Sequence, residues 1–529
     1  MKYLFIFLFL FQNVSFAVVK KGGHFKYNLK KSPATLNPFT SVDLYGALVH
    51  RRIFETLLRS DISSNELKPS LAKEWKVLKD GSVFEFVIRD GVKWHDGKPL
   101  TVNDVKFTFD AIIGKDNKFQ TISMRKDIEN VSKVKIVSKN TIHIYVHKKH
   151  FLNLKKISTD IFILPKHFYE NANNNFSKSL IGTGPYILKD YDRSKKILLE
   201  KNSKWWGIEK DFLKEDYNFN KITMKFIRDE TIALQELRKG NIDFSEISLK
   251  GYYDKSGNSW GKDYFKIQYE NESGRSFGVF GLNLNDARFK DKRVRLALTQ
   301  LLNRQMLSEK FFFGQAEIVN GPVHPSSPYA DKSVKEIKYD PSSALANLRK
   351  AGWKDTDGDA ILDKLIDGKK VDMKFTVKIA SKKLEKYLTM YKEDAKKAGI
   401  KLEIQFLEWN SYLDSLLNRN FEAIVYNTGT FYDWDPTNSW HSKSISKTGQ
   451  NFISYKNNEV DKLIDKQRLI TNQKERTKIL KKIYNKIAKD IPSVFLFSYK
   501  YKFYAHRNRV KKKKDAYKFA LGVDKMWID

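Results

Sequence analysis

Short segments with a two-residue apolar period alternate with segments of three- to four-residue apolar spacing along all 529 residues, with no repeat or low-complexity linker between them. Thr141 to Val146 is of the first kind: Ile142, Ile144 and Val146 share one face. Val83 to Ile88 reads as a strand closed by a turn at Asp90-Gly91. Ile197 to Glu200 and Ile222 to Phe226 are further expected strands. Pro341-Ser342-Ser343 opens a helix carrying Ala344, Leu345 and Leu348, and Gly352 stops it. Asn458 is expected to cap a helix using Val460, Leu463 and Ile464. After a break at Thr471-Asn472, a second helix runs through Ile479, Leu480, Ile483 and Ile487 and ends before Pro492. Ser493 to Phe497 is a strand again. The pattern predicts an α/β fold. The chain is too long for one ordinary core, so two or three lobes sharing chain crossings are expected. Hydrophobic residues at 41% and aromatics at 14% can fill them.

The first 17 residues read as an export signal, with Lys2, an apolar run from Leu4 to Phe11, and Ser15-Phe16-Ala17 before a cleavage site. Eight apolar residues are too few for a bilayer span, which takes about 20. The chain has no cysteine, which removes disulfides, thiol catalysis, cysteine metal sites and a lipid-modified cysteine. A freely diffusing periplasmic protein is expected. The net charge is +35, and loss of Lys2 with the signal leaves +34. Such a field attracts nucleic acid or anionic membrane. The lysines are scattered, however, and only Lys511 to Lys514 forms a dense run, so a solvated basic surface is the expectation.

Several motifs fall short of the chemistry they suggest. Gly274-Arg275-Ser276-Phe277-Gly278 matches the nucleophile-elbow pattern, but Val279 to Leu284 reads as a strand where a helix is required. Asp355-Thr356-Asp357-Gly358-Asp359, with Asp363, hints at a calcium loop. Counted from Asp355, the sixth residue is Ala360 and the twelfth Ile366, where glycine and a bidentate acid are needed. His95 stands alone in the turn Trp94-His95-Asp96-Gly97. No catalytic residue, metal site or cofactor is expected.

The stretch Thr428 to Trp440 sets Asp433 and Asp435 among Phe431, Tyr432, Trp434 and Trp440, after the apolar strand Ala423 to Tyr426. Aromatic walls lower the local dielectric and strengthen a carboxylate's attraction for a cationic ligand group. An ordinary turn whose aspartates cap a helix explains the same residues equally well.

Separate segments together resemble the extracellular solute-binding proteins of dipeptide and oligopeptide importers, bacterial solute-binding family five. The resemblance runs through Leu67 to Trp75, Asp80-Gly81 and Phe84-Glu85-Phe86, then Arg89 to Thr101 and Asp104 to Phe107. It continues at Gly182-Thr183-Gly184-Pro185-Tyr186, Trp205-Trp206-Gly207, Leu237 to Asp243, Phe289 to Arg295, Asn303-Arg304 and Asp340 to Trp353. It implies a type II periplasmic binding protein with two hinged lobes plus an inserted lobe. The expected lobes are 18–55 with 180–275 and 490–529, the inserted 56–179, and 276–489.

The resemblance also implies a function: capture of a peptide for an ABC permease complex in the inner membrane, without catalysis or nucleic acid, by a monomer. Glu408-Trp409 with Tyr412-Leu413 resembles the segment whose tryptophan lines the family's pocket. The loop from Thr430 to Pro436 resembles the one whose aspartate holds the peptide ammonium. That aspartate lies four residues before the proline in the family, where this chain has Tyr432, so Asp433 or Asp435 takes its place. Trp409 and Trp434 are expected to wall the cleft, with Tyr45 on the opposite lobe. Dipeptide binders carry an arginine for the far carboxylate, and here only lysines, such as Lys378, Lys382 and Lys383, stand nearby. Oligopeptides are therefore expected before dipeptides. Asn438 to Ser442, with Asn451, Phe452 and Tyr455, resembles a subgroup taking larger or modified peptides. The alternative is the same fold binding a sugar, an opine or a metal chelate.

Overall fold

The computed structural model describes residues 18–41, 43–114, 119–171, 176, 178–253, 260–270, 272, 274–446, 448–514 and 516–529. The export-signal segment 1–17 lies outside the described residues. No helix among them is long and apolar enough to cross a membrane.

Three large sheets organise the chain. A seven-stranded sheet has the order Tyr264–Glu270, Tyr501–Arg507, Phe244–Ile247, His24–Leu29, Lys221–Phe226, Lys196–Lys201, Tyr186–Asp192. A four-stranded antiparallel sheet joins Ala72–Leu78, Val83–Ile88, Thr141–Val146 and Val131–Ile136. A six-stranded sheet has the order Ala316–Ile318, Ser493–Tyr499, Gly274–Leu282, Ala423–Phe431, Lys374–Ile379, Lys401–Phe406.

The six-stranded sheet is buried on both faces. Phe280, Leu282, Val377 and Val425 pack with Val294, Leu298, Leu348 and Tyr391 on one side. Phe277, Val279 and Phe495 pack with Val460, Ile464, Leu480 and Ile483 on the other. Helices on both faces of a sheet require apolar residues at successive strand positions, which explains the run Val279-Phe280. The four-stranded sheet keeps a cleaner alternation: Ile142, Ile144 and Val146 face its core, as their spacing predicts.

Local signals place the helices well. Asp340 accepts from Ser343 N at 2.9 Å, with Pro341 as the first helical residue of Pro341–Lys350. Gly352, at φ +89°, closes that helix, its N–H reaching Arg349 O at 2.9 Å. The helix Asn458–Arg468 is capped by Asn457 rather than Asn458: the Asn457 side chain takes the N–H groups of Glu459 and Val460. Asn472 caps Gln473–Asp490 in the same way.

The strand Ser493–Tyr499 lies in the six-stranded sheet, although the sequence grouped 490–529 with the first lobe. Val494 and Phe495 enter the cores on opposite faces, which only a position inside that sheet satisfies. The chain consequently passes between the two large sheets twice, from Glu270 to Gly274 and at Lys500.

Two motifs of the resemblance are one contact. His95 Nδ1 accepts from Gly182 N at 3.3 Å, and His95 Nε2 lies 3.0 Å from Gly184 O. Burial lowers this imidazole to about 4, against its hydrogen bond to Gly184 O and the nearby Asp96 charge. The neutral ring ties its own turn to the backbone of Gly182 and Gly184, a structural role.

Candidate ligand-binding site

The strand Ala423–Phe431 delivers the loop Tyr432 to Pro436 at its end, and the short helix Thr437–Trp440 follows. Gly274 pairs with Phe431, so the loop emerges beside the first crossing between the two large sheets.

Asp435 is fully engaged. Its Oδ1 accepts from Thr437 N at 3.1 Å, Thr437 Oγ1 at 2.5 Å and Gln467 Nε2 at 3.3 Å. Its Oδ2 lies 3.1 Å from His150 Nε2 and 3.5 Å from Arg468 Nε. Burial pushes this carboxyl up, but the bonds from His150 and Thr437 and the Arg468 charge outweigh it and hold it at about 2. Asp435 thus caps the following turn and anchors it to a segment far away in sequence.

Among the described residues, the polar partners of Asp433 are two cations. Lys155 Nζ lies 2.6 Å from Oδ2, and Arg476 Nη2 lies 3.9 Å from Oδ1. Arg476 is 1% exposed and its guanidinium carbon sits 3.6 Å from the Phe151 ring centroid. Phe151 N donates to Arg468 O at 3.0 Å. The segment from His150 to Lys155 packs on the core of the four-stranded sheet through Leu154, and Ile157 follows in that core. Asp433, Asp435, Arg468 and Arg476 stand on the far side of the contact, around Trp434, Ile464 and Leu480 in the six-stranded sheet's core. Two separate cores therefore meet at these carboxylates.

The aromatic residues divide. Trp409 opens the helix Trp409–Leu417, is 59% exposed, and stacks on Tyr412 at 5.7 Å. Tyr432 meets the Phe519 ring edge-on at 4.8 Å. Trp434 is 5% exposed and packs near Tyr329 as part of the core, where the sequence expected a cleft wall. Tyr45 lies in the first turn of Leu44–Ile53 and packs on the core of the seven-stranded sheet. Asn451 bonds His441 O and both backbone groups of Tyr455, so it shapes its own turn. Lys378 donates to Asn420 O at 2.6 Å and Ser415 Oγ at 3.3 Å.

The remaining motifs resolve into local structure. Ser276 lies inside the strand Gly274–Leu282, without the strand-to-helix turn an elbow needs. Asp355, Asp357 and Asp363 come close together, and Lys370 pairs with Asp357 and, at 3.7 Å, with Asp363.

His150, Phe151, Lys155, Arg468 and Arg476 were invisible to sequence reasoning. Each is an ordinary residue of a helix or turn in a chain with 97 lysines and arginines.

Residues 66–450 match the family model described as bacterial extracellular solute-binding proteins, family 5 Middle. The chain belongs to that family. This family 5 protein is 31% identical over 492 residues to the oligopeptide-binding protein AppA of Bacillus subtilis (strain 168), covering 90% of this chain and 86% of that one. Its structure superposes on that of the B. subtilis AppA in complex with a nonapeptide with a TM-score of 0.73 at 30% identity, over 97% of this chain and 100% of the other. NikA from Brucella suis in complex with Fe(III)-EDTA shares the fold at 18% identity, with a TM-score of 0.79 over 96% and 100% of the two chains. The family 5 protein accordingly has the type II periplasmic binding protein fold that the resemblance implied.

Proposed function

We propose that this family 5 protein captures peptides, oligopeptides before dipeptides, and delivers them to an ABC permease complex. The observation that carries the reading is the Asp433 carboxylate, which already holds an alkylammonium, that of Lys155, at 2.6 Å. A peptide α-ammonium presents the same three N–H donors and the same charge. Asp435 has both oxygens committed to its own turn and to His150, so Asp433 is the assigned receptor. Tyr432 precedes it in the loop and meets the Phe519 ring, and Trp409 offers an exposed face for the ligand's backbone or side chain.

Lys378 spends its ammonium on Asn420 and Ser415 rather than on a dipeptide's far carboxylate. A longer peptide satisfies its amides by strand-like pairing and leaves its side chains in tolerant pockets. The likeness to AppA supports the same reading. In this reading residues 18–55, 180–273 and 500–529 form one jaw, 274–499 the other, and 56–179 the inserted lobe. The jaws turn about the crossings at Glu270–Gly274 and Lys500. In the same reading residues 1–17 export the chain, which acts in the periplasm as a monomer.

The test is calorimetric titration with a pool of synthetic nonapeptides. Asp433→Asn weakens affinity at least about tenfold, or about 1.4 kcal/mol. Unchanged affinity in that variant removes Asp433 from the role.

A further inference from the structure

Lys155 ends the short helix Asn153–Lys155, and the next five residues, Lys156–Asp160, form a π-helix. Such turns are rare and concentrate at functional positions. Thr159 Oγ1 donates to Lys155 O at 2.9 Å and holds the backbone there. The Lys155 ammonium has a second partner, Asn65 Oδ1, at 3.2 Å. Asn65 itself sits in the left-handed region at φ 61°, a conformation uncommon outside glycine. A π-helical turn and a left-handed asparagine of one unit thus converge on a single ammonium aimed at Asp433.

That ammonium is not needed to join the two units. His150 bonds Asp435, Phe151 N donates to Arg468 O, and Arg476 covers the Phe151 ring. Nor does Asp433 depend on Lys155 for a counter-charge, because Arg476 stands 3.9 Å away. Arg476 is locked, 1% exposed and bonded to Gln473 Oε1 at 3.0 Å, whereas the Lys155 side chain is 28% exposed on a flexible stem. Of the two cations on Asp433, Lys155 is the exchangeable one.

Resting on the reading that Asp433 receives a ligand amine, the geometry points to Lys155 as an internal competitor that sets the ligand length. An incoming ammonium must break the Lys155–Asp433 pair before it gains its own. A dipeptide has little else to offer in exchange. A long peptide adds backbone and side-chain contacts that no lysine makes, and displaces Lys155.

The experiment compares wild type, Lys155→Met and Lys155→Arg by calorimetry. The probes are a nonapeptide pool with free amines, the same pool N-acetylated, and the dipeptide Ala-Ala. Lys155→Met binds the free-amine pool about tenfold more tightly and brings Ala-Ala into measurable range, while the acetylated pool changes by less than about twofold. Lys155→Arg keeps the competing charge and behaves as wild type. Thermal unfolding verifies that each variant is folded, and Lys155→Gln substitutes for Lys155→Met where that variant fails. Wild type preferring free over acetylated peptide, with no tightening in Lys155→Met or Lys155→Gln, overturns the competitor and leaves the amine receptor standing. Wild type binding both pools alike, or neither, removes the receptor and the competitor with it.

Discussion

Glu270 and Arg275 stand on opposite sides of the first crossing between the seven-stranded and six-stranded sheets, their carboxylate and guanidinium 2.5 Å apart. Lys500, which separates the two strands at the second crossing, lies 3.7 Å from the same carboxylate. One acid therefore ties both crossings.

Arg275 is 2% exposed and also pairs with Glu317 at 2.8 Å. In Arg275→Met both acids lose that partner, but each is partly exposed and regains water. The expected loss is about 1–3 kcal/mol, below that of a fully buried pair. It is read as a lower urea midpoint at unchanged m-value. A loss under about 0.5 kcal/mol would show that the pin contributes no more than a surface pair.

Glu55 is a half-buried acid held by two indoles, with Trp205 Nε1 at 3.2 Å and Trp206 Nε1 at 2.8 Å. Burial raises its carboxyl from 4.5 to about 7, against those bonds and the charge of Arg89. The fold thus prefers the protonated form. Its contribution is complete below the unfolded value of 4.5, declines as pH rises, and is gone above about 7. Glu55→Gln cannot accept both indole N–H groups, so it is less stable than wild type at pH 5 and approaches it at pH 8. The gap should narrow by on the order of 2 kcal/mol between those two urea titrations. A gap independent of pH would mean that Glu55 does not titrate in this range.

Gly182 has ordinary backbone angles but no room. A Cβ there would lie 1.9 Å from Ile53 O, a backbone atom that cannot step aside. Gly182→Ala should cost about 3 kcal/mol or more, through forced backbone shifts. Gly358→Ala is the contrast: φ is +79° and nothing stands within 4 Å, so only the conformational penalty of about 1–2 kcal/mol applies. Similar denaturation midpoints for the two variants would refute the steric account.

Element type was legible wherever a periodic segment carried its own caps. Thr141–Val146 and Pro341–Lys350 are examples, with alternation in one case and Asp340, Pro341 and Gly352 in the other. The loop of Asp433 and Asp435 was legible as an acidic and aromatic cluster, but the fate of each ring was not. Trp434 is buried in a core it shares with Tyr329, Ile464 and Leu480, residues that no window around position 434 contains. Trp409 is exposed because its helix turns the face of Tyr412, Ser415 and Leu416 inward.

The amino-acid order alone determined the succession of strands and helices, the family, and two carboxylates on one loop, because periodicity, caps and motifs act over a few residues. Only the tertiary structure decided that Ser493–Tyr499 joins the six-stranded sheet, that Asp435 is spent on its own turn, and that Lys155 answers Asp433. That last pair is 278 residues apart, and a bond across such a distance depends on how two cores dock, which leaves no local trace among so many equivalent lysines.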